Sequence, residues 1–434
     1  MPTNTSTPVI LPPTLPDNLW LRVVVVLVLG VGVFQFFVRG TWYGMRGSGD
    51  FSGPYAASRV FWKGGNTYDT KTLKNELKSA QALGKPTYSH VASCLYPPQT
   101  FVLYSPLGLL QWNYSRIVLA IINSILPFVA VASLKWTDRQ INPRTLLFAF
   151  AVVLYWSPLI SGIRLGQPAV LSVSLSFIAI QCASVNRQGL AGWLLVLSVF
   201  AKVHDALPVV IYFAVRRWWK SLLILGVAGV VSTALIGLWW GADAPIMIRT
   251  LFENYRFEQG RGLMSPSGPM NWQRIDASPL WPTCTFELVT LCTLIVLPLI
   301  ALLAWKDRKR ESAGPPTGLQ AIALACLSLW SLLAVYHRYY DAYVLVVPVL
   351  HALQVVSGKW ESPAWKWMAV IGGLPFLAPF SALIYTWFPE WRAPLHASFA
   401  GQWLMLHVNF LMLMALLYLT WKLSRMLCET EKRC

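Results

Sequence analysis

Long apolar segments, separated by short polar ones, recur along almost the whole chain. Most of them approach the roughly 20 residues with which an α-helix crosses the hydrocarbon core of a bilayer. They cover residues 19–38, 95–112, 115–134, 145–161, 168–184, 190–201, 203–215, 221–240, 284–305, 319–336, 342–356, 367–386 and 399–421. The pattern predicts an all-α polytopic membrane protein.

Basic residues between these segments predict how the chain is threaded through the membrane. The densest basic clusters lie in residues 135–144, 216–220, 306–310 and 422–434. The positive-inside rule places all of them in the cytoplasm, which requires residues 95–112, with their three prolines, to stay on the outer face. We therefore predict about 12 transmembrane helices with both termini in the cytoplasm. A second arrangement, in which 95–112 crosses and 190–215 forms one kinked helix, ranks lower because it puts 162–168 inside.

The same pattern gives the domain organisation. Residues 1–18 are rich in Pro, Thr and Ser without Lys or Arg, which predicts a disordered tail. Residues 19–421 form a single transmembrane domain, and residues 422–434 form a cytoplasmic tail. On the outer face we expect a long loop over 39–113 and a flexible loop, or lid, over 241–283.

Two short amphipathic helices are predicted in the first outer loop. In residues 70–83 the apolar residues on one helical face are Leu73, Leu77 and Ala80, and the lysines on the other are Lys71, Lys74 and Lys78. This arrangement is typical of a helix in the lipid headgroup plane, and the alternative is an ordinary solvated helix. A second interfacial helix is expected to start near Asp50, with Asp50 at or near its N-cap.

Composition narrows the class of protein. The chain is 56% hydrophobic and 12% charged, whereas soluble domains average about 25% charged residues. The net charge is +17. We interpret the basic residues as topology signals and contacts with anionic lipids rather than as a nucleic-acid-binding surface. The seven cysteines show no metal-ligand spacing, and no nucleotide-binding motif is present. We therefore expect no metal and no cofactor.

The candidate catalytic residue is Asp50, a carboxylate that follows the first apolar segment. It is either a helix cap or a general base for an incoming hydroxyl, and the two roles are compatible. A second candidate cluster lies where Lys202, His204 and Asp205 separate two short apolar segments. Ionisable groups at membrane depth are functional candidates, with a self-contained Lys202–Asp205 pair as the alternative. The break predicts a broken helix that lines a cavity.

Further polar residues are expected to bind substrate on the outer face. His337 and Arg338 are candidates to clamp a phosphate, with Asp341 as the partner of Arg338. Lys202 is a further candidate phosphate ligand, and Arg256 belongs to the loop that is a candidate lid over a lipid-phosphate site. The candidates for contacts with the sugar or acceptor are Gln167, His204, Tyr55 and Tyr96.

Several motifs, taken in order, resemble a known family. They are "GDFSGPYAASRVFWKGGNTYD" near Asp50, "LYPPQTFVLYSPLGLL", "RLGQPAVLSVSL" and "GWLLVLSVFAKVHDALPVVIYFAVRRWW". Together they are similar to the GT-C superfamily of integral-membrane glycosyltransferases, and most similar to glycosyltransferase family 87. That family includes polyprenyl-phosphate-mannose-dependent mannosyltransferases and arabinosyltransferases of bacterial envelopes. The resemblance extends over roughly residues 20–350.

The resemblance implies an inverting sugar transfer at the outer face of a bacterial plasma membrane. Asp50 would deprotonate the acceptor hydroxyl of a lipid or glycan. Basic side chains would stabilise the departing polyprenyl phosphate, with His337, Arg338 and Lys202 first and Arg164 or Arg256 next. Many GT-C enzymes carry two acidic residues in this loop, and Asp69 is the nearby second carboxylate here. The competing interpretation is a transporter or flippase of a lipid-linked sugar, and a non-catalytic scaffold is a third.

Overall fold

The computed structural model describes residues 19–80, 94–137, 141, 143–262, 285–306, 318–334, 339–356 and 414–428, and every regular element in these ranges is helical. The helices of the first half are α1 (Leu19–Phe34), α2 (Tyr43–Arg46), α3 (Ser52–Trp62), α4 (Thr70–Ser79), α5 (Pro98–Gly108), α6 (Trp112–Ala132), α7 (Leu134–Thr137), α8 (Pro143–Tyr155), α9 (Ser157–Leu165) and α10 (Pro168–Ser184). A π-helical segment, Gln35–Trp42, joins α1 to α2, and a 3-10 turn, Gly49–Phe51, leads into α3.

The second half continues with further helices. They are α11 (Gln188–Ala201), α12 (Val203–Val215), α13 (Trp219–Trp240), α14 (Ala244–Gly262), α15 (Thr285–Lys306), α16 (Gly318–Ala334), α17 (Val346–Val356) and α18 (414–428). A 3-10 helix, Tyr339–Leu345, precedes α17. The predicted tail 1–18, the predicted span 367–386 and most of 399–421 lie outside the described residues.

Three helical segments in the described part of the chain are long and apolar enough to cross a membrane. They are Val26–Trp62, Trp112–Thr137 and Trp219–Asn254. The pair α8–α9, which is bent by 53°, is also long and apolar enough if the two helices form one broken span. Other apolar helices, among them α10, α11 and α12, are shorter. An all-helical fold with segments able to span a membrane is therefore confirmed within the described residues, while the total of about 12 spans stays a prediction.

Residues 95–112 contain the short helix α5. Its 11 residues rise about 16 Å, roughly half of the hydrocarbon core. This length supports the prediction that the segment does not cross the membrane by itself.

The central helix is α10, whose side chains are buried along nearly its whole length. Small serine side chains allow close contact with α11, and the hydroxyls of Ser176 and Ser198 lie 2.6 Å apart. Such interhelical bonds contribute on average about 0.6 kcal/mol each in a membrane. Ser172 at the start of α10 donates to the carbonyl of Lys202, at 3.1 Å. The two helices are therefore antiparallel, and we call the end where α10 begins and α11 ends the upper end.

The helices α11 and α12 form a hairpin whose tip is Lys202. The hydroxyl of Ser221 in α13 donates to the carbonyl of Gln188, at 2.8 Å, so α11 and α13 start side by side. Two consecutive residues of α5 bond to Phe200 of α11 and Thr233 of α13, so the two helices also run in the same direction. Because α12 connects the end of α11 to the start of α13, it must run back down. The predicted break between two short helices is confirmed.

The amphipathic pattern of residues 70–83 is confirmed as α4. Leu73 and Leu77 are buried, whereas Lys71, Lys74 and Lys78 are exposed. The two leucines pack against aromatic and apolar side chains of α3 and α5. The apolar face is thus covered by protein, and the predicted contact of this face with lipid headgroups is wrong.

Polar side chains fix α4 in place. Glu76 accepts hydrogen bonds from Arg59 and Lys63 of the α3 region, both at 2.6 Å. Burial acts to raise the pKa of Glu76, but the hydrogen bonds from Lys63 and Arg59 hold it below its usual value. Asp69 is the N-cap of α4 and accepts from the backbone N–H of Thr72, at 2.8 Å.

The predicted loop 241–283 begins with a helix. Residues up to Gly262 form α14, and residues 263–283 lie outside the described part of the chain. Met247 and Leu251 pack against the same apolar cluster as α4, and the side chain of Asn254 donates to the carbonyl of Tyr68, at 2.8 Å. A packed helix therefore takes the place of the expected flexible loop in the first half of the segment, and the role of a lid stays a prediction.

Candidate functional site

Asp50 lies in the 3-10 turn between α2 and α3, and it is partly buried. The turn packs against the end of α9, where the backbone N–H of Ser48 donates to the carbonyl of Arg164, at 3.3 Å. Ser48 itself has a φ of +54°. The N-cap of α3 is Phe51 rather than Asp50, and the Asp50 carboxylate accepts a hydrogen bond from the side chain of Gln167.

Gln167 is the N-cap residue of α10, and its side chain is buried. Its Nε2 donates to Asp50, and its Oε1 accepts from the Tyr96 hydroxyl at 3.4 Å. The side-chain amide of Asn123 in α6 donates to the Gln167 carbonyl, at 3.3 Å. The structure therefore brings together three residues that the sequence singled out: Asp50, Tyr96 and Gln167.

Tyr96 lies in the segment just before α5. Burial, followed by the nearby carboxylates of Asp50 and Asp341, raises the pKa of Tyr96 well above its usual range. The hydroxyl consequently stays protonated and acts as a hydrogen-bond donor near neutral pH. Both carboxylates are therefore close enough to Tyr96 to act on its pKa.

A charged cluster lies at the tip of the α11–α12 hairpin. The Lys202 ammonium contacts the Asp341 carboxylate and lies 3.4 Å from an oxygen of Asp205. The side chains of all three are at most 5% exposed. His204 Nε2 lies 4.0 Å from the other oxygen of Asp341. Lys202 is thus held by two carboxylates, which does not fit the predicted role of a phosphate ligand.

Asp341 is the member of this cluster that the sequence analysis did not place with Lys202. Arg338, its expected partner, lies outside the described residues, whereas the contact with Lys202 is described. The two residues are 139 positions apart, and no local pattern links them.

The same cluster contains potential metal ligands. His204, Asp205 and Asp341 each offer one ligand atom, and these atoms lie within 4.8 Å of one another. Because the Lys202 ammonium contacts two of these carboxylates, it supplies positive charge where a metal ion would sit. The expected absence of a metal ion stays a prediction.

The two groups of polar residues lie at the same upper end of the bundle. Gln167 begins α10, and Ser172, in the second turn of that helix, bonds to the Lys202 carbonyl. The carboxylates of Asp50 and Asp341 both raise the pKa of Tyr96. The result is a carboxylate that accepts from an amide, which in turn accepts from a phenol, beside a buried cluster of opposite charges.

The side chains of the remaining predicted residues are not gathered at this end by any described contact. Tyr55 is fully buried and donates to the Leu110 carbonyl at 2.8 Å, which supports a packing role, and its contact with substrate stays a prediction. Arg164 is exposed, with its guanidinium 5.8 Å from the centre of the Tyr43 ring. Arg256 is exposed on α14. His337 and Arg338 lie outside the described residues.

Gly166 is expected to be required for the turn that positions Gln167. Its φ is +69°, and a Cβ there would lie 2.8 Å from the Cβ of Ser48 and 3.0 Å from the Cβ of Phe51. We predict that Gly166→Ala lowers the free energy of unfolding by about 1–3 kcal/mol through backbone strain and overpacking. Unfolding of the detergent-solubilised protein by denaturant measures this change.

A matched control for this substitution is Gly226→Ala in α13. A Cβ at Gly226 meets nothing within 4 Å, and alanine is favoured over glycine inside helices. The control variant is expected to unfold at the same denaturant concentration as the wild type or a higher one. Equal stability of Gly166→Ala and Gly226→Ala would contradict the requirement for glycine at position 166.

Comparison with protein families identifies the chain. The sequence model of glycosyltransferase family 87 matches residues 95–357, which is more than half of the chain. The match includes Tyr96, Gln167 and the Lys202 cluster, and Asp50 lies before it. Comparisons with curated proteins and with solved structures give no match. The chain belongs to glycosyltransferase family 87, and it is a glycosyltransferase.

Proposed function

We propose that the enzyme transfers a sugar, mannose foremost, from a polyprenyl-phosphate donor to a hydroxyl of a lipid or glycan acceptor. The transfer inverts the anomeric centre and takes place on the outer face of a bacterial plasma membrane. The observation that carries this proposal is the partly buried Asp50 carboxylate, held by Gln167 at the upper end of the helical bundle. Membership in family 87 supports sugar transfer rather than transport alone.

In the proposed step Asp50 accepts the proton of the acceptor hydroxyl. The acceptor oxygen attacks the anomeric carbon opposite the phosphate, and a new carbon–oxygen bond forms as the bond to the phosphate breaks. The polyprenyl phosphate leaves with the electron pair. Phosphate is a good leaving group, so one carboxylate suffices, in contrast to the pair that most glycosidases use.

Basic side chains are proposed to stabilise the charge that develops on the departing phosphate. His337 and Arg338 remain the first candidates, because they precede Asp341 in the chain. Arg164 is exposed close to the turn that carries Asp50, and Arg256 is the next candidate. Lys202 is left out, because its ammonium already contacts Asp205 and Asp341.

A reconstituted assay tests the proposed donor and reaction type. Purified protein in liposomes is given labelled polyprenyl-phosphate mannose, its glucose and arabinose counterparts, or a nucleotide sugar, each with a lipid extract as acceptor. We expect glycolipid product only from a lipid-linked donor, with anomeric configuration opposite to that of the donor. Movement of the donor across the bilayer without product would favour the flippase alternative. Product from the nucleotide sugar alone would refute the proposed donor class.

A further inference from the structure

We infer that Gln167 is the positioning residue of the catalytic base, which it orients and keeps ionised with the help of Tyr96. This inference rests on the proposed role of Asp50. It differs from the expectation that Gln167 binds the sugar, because the described contacts direct its side chain toward the protein's own carboxylate.

The chemistry of the three groups fixes the direction of the hydrogen bonds. An ionised carboxylate only accepts hydrogen bonds, so the NH₂ end of the Gln167 amide must face Asp50. The carbonyl end then faces the hydroxyl of Tyr96, which donates to it at 3.4 Å. The two hydrogen bonds therefore form a series from the tyrosine hydroxyl through the amide to the carboxylate. Hydrogen bonds in such a series polarise one another in the same direction.

The backbone holds the amide in place. The Gln167 N–H donates to the Gly162 carbonyl at 2.8 Å, and its own carbonyl accepts from Asn123 at 3.3 Å. Pro168 follows at the first position of α10 and restricts the backbone further. With 1% of its surface exposed, Gln167 cannot turn toward a sugar without giving up its bond to Asp50.

This arrangement affects the base in two ways. The amide fixes the orientation of the carboxylate relative to the incoming hydroxyl. It also stabilises the ionised form of Asp50, because a hydrogen bond donated to a charged carboxylate favours that form. The titratable and charged groups near Asp50 in the described residues include Tyr96, with Asp341 and its partner Lys202 beyond it, and the exposed Arg164 next to the turn that carries Asp50.

The variant Gln167→Met tests this role, because methionine has a similar volume and cannot donate a hydrogen bond. We expect kcat to fall by about 10-fold to 10²-fold from the loss of orientation, while KM for the donor changes little. The acidic limb of the pH profile of kcat/KM should move to higher pH by about one to two pH units, because the Asp50 carboxylate is then protonated more easily. Tyr96→Phe should move the limb in the same direction by a smaller amount.

The variant Gln167→Glu gives an independent measurement if Gln167→Met is inactive at every pH. A carboxyl at this position donates to Asp50 only while it is protonated. We therefore expect transfer to decline as the pH rises toward neutrality, so that the optimum moves to lower pH. Wild-type activity of Gln167→Glu at neutral pH would overturn the inference.

Failure of the inference is distinguishable from failure of the proposed function. An unshifted acidic limb in Gln167→Met, together with a raised KM for donor or acceptor, would show that Gln167 binds substrate instead. In that case wild-type transfer and an inactive Asp50→Asn variant would still support Asp50 as the base. Normal turnover in Asp50→Asn would refute the base itself, and with it the role of Gln167.

Discussion

Asp50→Asn is expected to lower sugar transfer by about 10²-fold to 10⁴-fold, the range that general base catalysis contributes. Asparagine has nearly the same shape as aspartate but cannot accept the proton of the acceptor hydroxyl. Because the lost interaction belongs to the transition state, kcat should fall while KM for the donor stays nearly constant. Initial rates of product formation in proteoliposomes, with the donor varied, measure both quantities.

Asp69→Asn is the matched control for this variant. Asp69 is the second carboxylate near Asp50 in the first outer loop. It caps α4 by accepting hydrogen bonds from Thr72. The hydrogen bond from the Thr72 hydroxyl lowers the pKa of Asp69, so the group is ionised at neutral pH. Asparagine caps helices about as well as aspartate, so stability and transfer should both stay close to wild type. A loss of transfer in Asp69→Asn equal to that in Asp50→Asn would contradict the assignment of Asp50 alone.

Local patterns of the sequence predicted the parts of the fold that depend on neighbouring residues. The alternation of Leu73 and Leu77 with Lys71 and Lys74 gave the buried and exposed faces of α4 correctly. The polar break at Lys202 between two apolar segments predicted the tip of the α11–α12 hairpin. In both cases the signal lies within one or two helical turns, the distance over which helical periodicity operates.

The sequence also held a signal that was overlooked. Glycine and serine residues after Gln259 suggested a flexible loop over 241–283, yet the segment begins with α14. Met247 and Leu251, with Asn254 three residues later, occupy one helical face and pack on the first outer loop. That spacing is the same one that identified α4, and it predicts a helix with one buried side.

Contacts between segments that are far apart in the sequence could not be predicted from it. Asp50 and Gln167 are 117 residues apart and meet only because the turn after α2 packs on the end of α9. The sequence named both residues as candidates but gave no means of pairing them. The alternative considered for Lys202 was a pair with Asp205, three residues away, whereas Asp341 makes the closer contact. Tertiary packing decides such pairs, so the structure was needed to assign them.

Lys202→Met is expected to destabilise the protein by about 3–5 kcal/mol, the cost of breaking a buried ion pair by removing one partner. The substitution leaves the buried carboxylates of Asp205 and Asp341 near each other without the ammonium between them. Unfolding by denaturant in detergent micelles measures the change in free energy. KM for the donor of the folded fraction should stay near that of the wild type, because Lys202 is proposed to hold the hairpin tip rather than the phosphate.

The double variant Lys202→Met/Asp341→Asn separates a structural role from a role in donor binding. Replacing Asp341 by asparagine removes one of the two negative charges that the single variant leaves behind, so the double variant should be more stable than Lys202→Met alone. Coupling of this kind is expected between residues that contact each other. If Lys202 instead binds the donor phosphate, the single variant should keep the wild-type free energy of unfolding and raise KM for the donor. Asp341→Asn would then fail to offset the loss of Lys202, and the ion pair would have no structural role at the hairpin tip.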